Sequence, residues 1–172
     1  MSSGRIVIES DVEMRGSTSI SKPILGQDCV GNAQVKSDAK ISAEKLQHLH
    51  QITYSQDVDS TVSEEKKVIH IVQGNGTIKK FYAGVASVPT ADGKDITIDL
   101  KKRDASGEES VLNEALVITE EKSSWTVYDA NLDGTKTSVE DGDILYITID
   151  IPDGGTDAKG LYVGLKLYED AL

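Results

Sequence analysis

LYITIDI (residues 145–151) and LYVGLKLY (residues 161–168) decide how this chain folds. In the first, Leu145, Ile147, Ile149 and Ile151 fall on one side and Tyr146, Thr148 and Asp150 on the other. In the second, Leu161, Val163, Leu165 and Leu167 oppose Tyr162, Gly164, Lys166 and Tyr168. Side chains of a strand alternate between its two faces, so a period of two predicts strands with one buried side. Such one-sided burial suits antiparallel sheets with one wet face. Pro152 to Gly155, with Asp157 beyond, has the composition of the loop between them.

Outward from this pair the same period recurs. Asp95 to Lys101 sets Ile96, Ile98 and Leu100 against Thr97, Asp99 and Lys101, with turn residues at Gly93 and from Asp104 to Gly107. Ile78 to Val88 sets Phe81, Ala83 and Val85 against Tyr82, Gly84 and Ala86. Val68 to Val72, Ala115 to Thr119 and Ser124 to Tyr128 complete the candidate strands, and Gly74-Asn75-Gly76 predicts a hairpin turn. Seven or eight strands with almost no helical period predict an all-β, antiparallel two-sheet sandwich. With one Phe and one Trp, its core must be mostly Val, Ile and Leu.

The N-terminal third reads differently. RIVIE (residues 5–9) is β-prone but too short to stand alone, and Lys22-Pro23 with Gly16, Gly26 and Gly31 breaks any regular element from Asp11 to Gly31. An extended arm is expected over Met1 to Cys29. In the linker from Val30 to His50, Ser42 is placed to cap a short helix from Ala43 to about Leu49. Ile41, Leu46 and Leu49 are large apolar groups in a polar tract, and they predict an oligomer contact packed around a symmetry axis. The organisation expected is an arm and linker over residues 1–50 and a β head over residues 51–172.

The linker pattern V-x-N-A-x-V-x-S-D-A-x-I-x-x-x-K-L, Val30 to Leu46, resembles the connecting segments of bacteriophage fibre and spike proteins. Those segments join a particle-attached N-terminal part to a globular head. From Asp95 to Leu172 the order GD-strand, Gly-rich loop, K-G-strand is similar to jelly-roll-type phage decoration and head domains. The resemblance implies a non-enzymatic virion protein, of capsid decoration (cement) or head-fibre type, with a jelly-roll-like head. Its partners would be the major capsid protein or another virion protein, and itself as a homotrimer, acting by avidity. The alternative is a tail-fibre adhesin whose sandwich binds host surface carbohydrate.

Charge and composition limit the rest. A formal net charge of −11 with dispersed Lys and Arg argues against nucleic acid. Cys29 is the only cysteine, so no internal disulfide or cysteine-rich zinc site is expected. No apolar run of signal-peptide or membrane-span length is visible, so synthesis in a cytoplasm and no membrane partner are expected.

Two patterns carry candidate chemistry. DANLDGTKTSVE (residues 129–140) matches the spacing of a calcium loop. Asp129, Asn131, Asp133 and Glu140 would supply side-chain oxygens, Thr135 a carbonyl, and Gly134 the sharp turn. Its flanks read as strands and position 8 is Lys136, so the plain alternative is an acidic turn. His48 and His50, two apart on an extended chain, point the same way and could present imidazoles to a transition metal on a trimer axis. If the helix ran through His50 the pair would diverge. Glu108-Glu109, Glu120-Glu121, Asp141 and Asp143 read as solvated turns, and no nucleophile elbow is present. Tyr162 and Tyr168 share an outward face and suit a subunit contact more than a sugar-stacking surface.

Overall fold

The computed structural model describes residues 48–169, as ten strands in two antiparallel sheets with no helix among the described residues. Sheet A runs β1 (His48–Ser55), β10 (Lys159–Glu169), β3 (Gly76–Ser87), β7 (Tyr128–Asp129), with β8 (Ser138–Val139) also on β3. Sheet B runs β2 (Glu65–Ile71), β9 (Ile144–Asp150), β4 (Ile96–Asp104), β5 (Gly107–Ser110), with β6 (Leu116–Ile118) also on β4. No helix of the described residues is long and apolar enough to cross a membrane.

The expected registers hold where alternation was cleanest. Leu145, Ile147 and Ile149 of β9 are buried, as are Leu161, Val163, Leu165 and Leu167 of β10. Phe81, Ala83 and Val85 of β3 and Ile96, Ile98 and Leu100 of β4 meet them in one core. Each such aliphatic side chain contributes about 1.5–3 kcal/mol by leaving water.

The outer face of sheet A carries an interlock. Tyr162 of β10 pairs with Gly84 of β3, and two residues along, Gly164 pairs with Tyr82. A Cβ on Gly84 would lie 2.7 Å from the Tyr162 ring, and one on Gly164 would lie 2.1 Å from the Tyr82 ring. Each tyrosine therefore lies flat in the space its opposite glycine leaves.

Three expectations are corrected. Ser124 to Tyr128 is not a strand; only Tyr128–Asp129 pairs, because Trp125 adopts a left-handed backbone (φ 58°) that no strand accommodates. Gly74-Asn75-Gly76 is not a hairpin turn, since β2 before it belongs to sheet B and β3 after it to sheet A. His48 and Leu49 are not the end of a helix but the start of β1, paired to Glu169 and Tyr168, where β10 offers backbone partners that a short polar helix lacks. The arm, Cys29, Ile41 and Leu46 lie outside the described residues.

Candidate functional site

The acidic loop from Asp129 to Glu140 works as a strap. Its ends are β7 and β8, both bonded to β3, and Ile78 N donates to Thr137 O at 2.8 Å between them. Its middle crosses to the chain after β5: Asn113 N donates to Asn131 O and Asp133 N to Val111 O, each at 2.9 Å, and Leu112 bridges Leu132. The carboxylates are turned to other tasks. Asp129 meets Lys80 at 2.8 Å, and Asp133 accepts from Thr135 N and Thr135 Oγ1 at 3.0 and 2.7 Å. Those two bonds, with Lys136 at 3.4 Å, hold the Asp133 carboxyl below its ordinary range. The backbone of Glu140 donates to Asp143 at 2.9 Å. Asp129, Asp133 and Glu140 are not brought together at metal-ligand spacing.

His48 and His50 lie on β1 with their rings stacked, centroids 6.2 Å apart. The i, i+2 geometry expected of an extended chain is therefore present, but it gathers partners from the same chain. His70 of β2 sits 5.7 Å from the His50 ring. Between them lies Glu169, 3% exposed, with His50 Nε2 3.1 Å from Oε2 and His70 Nε2 2.7 Å from Oε1. Gln73 N also donates to Oε1, at 3.3 Å. His50 and His70 thus meet one buried carboxylate where β1 and β10 of sheet A face β2 of sheet B, with His48 stacked on His50. Sequence reading missed His70 and Glu169. The signal was available, since 161, 163, 165, 167 and 169 share one parity and Glu169 continues the apolar side of β10.

A second acidic group gathers at a loop end. Asp92, Asp95 and Glu120 offer carboxylate oxygens within 4.8 Å of one another, a spacing that could hold a hard divalent cation. Asp95 Oδ1 is shut off from solvent with no hydrogen-bond partner. Burial, then the neighbouring charges of Glu120 and Asp92, pushes the Asp95 carboxyl above its ordinary value. The other acid pairs are ion-paired or structural: Glu108 with Lys66 and Glu109 with Lys102, each at 3.2 Å, and Asp143 under the Glu140 turn.

Trp125, at 68%, is the most exposed large apolar side chain among the described residues. Its loop is bound at four points: Trp125 N to Val85 O (2.8 Å), Val88 N to Ser124 Oγ (3.2 Å), Ser123 N to the Tyr128 hydroxyl (2.6 Å), and the Tyr162 hydroxyl to Thr126 O (3.2 Å). The indole stacks at 17° on Tyr162, centroids 6.5 Å apart, within the range of offset-stacked rings. Tyr162 is thus engaged with Trp125, while Tyr168 lies under Lys79 at 5.5 Å. Beside the stack is a shallow trough of about 510 Å³ lined by Ser55, Asp57, Val58, Trp125 and Tyr162 among others. A left-handed non-glycine residue costs roughly 1–2 kcal/mol, and this one leaves its apolar side chain in water.

No family model matches this sequence, and no curated protein does. Among solved structures the chain is similar to one described as "Cyanophage Pam1 capsid asymmetric unit", with a TM-score of 0.49 and 10% identity over 83% of this chain and 99% of that one.

Proposed function

We propose that this protein is a structural virion component, a capsid decoration (cement) or head-fibre protein that displays a jelly-roll-like β head from an N-terminal arm. The supporting observation is where the linker delivers the chain. β1, its continuation, is the outer strand of sheet A, and Leu49 on it is 54% exposed. An apolar residue left uncovered at the mouth of a linker that carries Ile41 and Leu46 suits a contact between copies. In this reading three chains bury Ile41, Leu46 and Leu49 around an axis, the arms grip the major capsid protein or another virion protein, and the assembly is stabilised by mass action without catalysis.

Deleting Met1 to Cys29 tests it. The truncated chain should keep its β circular dichroism yet fail to co-sediment with particles that the full chain labels. Loss of the β signal, or undiminished co-sedimentation, would refute the arm's role. Leu46→Ser with Leu49→Ser should lower the mass seen by light scattering without changing the melting temperature. A wild-type chain that is monomeric at all concentrations would sink the trimer.

A further inference from the structure

We infer that Trp125 is the platform of a carbohydrate site that takes a neutral hexopyranose ring, a binding function separate from assembly. A folded chain normally covers its large apolar groups, and it normally keeps glycine for left-handed backbone. Trp125 breaks both rules at once, in a loop tied down at four points and braced by the Tyr162 ring. Strain held by the surroundings at an exposed aromatic marks a residue aimed at a ligand.

The trough beside the indole describes that ligand. It is shallow and amphipathic, with Trp125 and Tyr162 beside exposed Ser55 and Asp57, whose Oδ1 accepts from Asp59 N at 2.9 Å and whose Oδ2 has no hydrogen-bond partner among the described residues. A pyranose has the same two-sided character: axial C–H groups on one face for the indole, and a rim of hydroxyls for a carboxylate and a hydroxyl. A stable protein interface buries roughly 800 Å² on each side, whereas the exposed large apolar side chains lining this trough are Trp125 and Val58 alone among the described residues. Asp57 and the net charge of −11 select against uronic and sialic acids.

Because Trp125 is the only tryptophan, its fluorescence reports this site alone. The full chain would be titrated with the methyl glycosides of glucose, galactose, mannose and N-acetylglucosamine, and with glucuronate and sialic acid. At least one neutral glycoside should shift the emission saturably with a Kd on the order of millimolar, and the acidic sugars should not. Trp125→Gly, which suits the backbone, should keep the melting temperature and lose the sugar's saturation-transfer signal in NMR. Asp57→Asn should weaken binding about tenfold, the loss of one charge-assisted hydrogen bond. No saturable response to any neutral glycoside, or equal binding by Trp125→Gly, would overturn the site. Particle co-sedimentation by Trp125→Gly should be unchanged; if that is lost while sugars are ignored, the platform faces a protein and the inference is wrong.

Discussion

The two open sides of the sandwich are closed by opposite means. On one side β1 and β2 are joined by side chains: the Tyr54 hydroxyl to Glu65, and His50 and His70 to Glu169. On the other side the strap from Asp129 to Val139 joins sheet A to the chain after β5 mainly by backbone hydrogen bonds, through Asn131, Asp133 and Thr137. A backbone seam is nearly indifferent to which side chains it carries. A seam of ionisable side chains depends on every member, because removing one strands another in a dry place. Robustness to mutation should therefore differ across the molecule even though both seams cover the same core.

The largest effect comes from the layer on which both seams rest. Ile147→Asp puts an unpaired charge among Leu100, Leu145 and Ile149 and should unfold the head, since its cost of several kcal/mol rivals a typical stability of roughly 5–15 kcal/mol. Thr148→Asp, one residue on, should lower stability by under about 1 kcal/mol. Equal melting temperatures for the two would break the register itself.

Next is the side-chain seam. His70→Ala leaves the buried Glu169 carboxylate with two of its three partners, His50 and Gln73 N, at a cost of about 1–3 kcal/mol in urea unfolding. His70→Leu with Glu169→Leu should cost less than the sum of the single changes, a coupling of about 0.5–3 kcal/mol. Strict additivity would mean that the bridge contributes nothing.

Asp95→Asn should act in the opposite direction. The folded carboxyl sits above its ordinary value, so its ionisation opposes folding: the penalty is present above the unfolded Asp value, near 4, and fades as pH falls below it. The variant should melt higher than wild type at pH 7 and lose that advantage near pH 3. A lower melting point at pH 7 would show that the three carboxylates hold something that needs their charge.

The smallest effect belongs to the strap. Asn113→Ala removes one side-chain bond, Nδ2 to Leu132 O at 3.1 Å, and leaves the Asn113 N–Asn131 O bond in place. It should cost no more than about 0.5–1 kcal/mol. A loss as large as that of His70→Ala would erase the distinction between the two seams.

These differences also explain what could be read from sequence. β4, β9 and β10 were legible because burial on one face writes itself into period two. The strap was not, because its partners on β3 and after β5 are chosen by tertiary closure and its two bridges are two residues long. Ser124 to Tyr128 misled for a related reason: Trp, Thr, Val and Tyr favour strands, yet the bond from Trp125 N to Val85 O of β3 and the one from the Tyr162 hydroxyl to Thr126 O set that backbone. His48 and His50 were seen as a pair, but a reading confined to neighbours in sequence could not supply His70 and Glu169, 99 residues apart.

The tyrosine–glycine interlock on sheet A bears on misfolding. In an antiparallel pair a slip of two residues preserves the inward apolar side, so hydrophobic pattern alone does not forbid it. Here a slip in one direction would set Tyr162 against Tyr82, and in the other would set Gly164 against Gly84. The first crowds two rings into one space and the second leaves two bare stretches of backbone facing each other. The two-residue slips that alternating strands invite between β10 and β3 thus meet a mismatch at their centre.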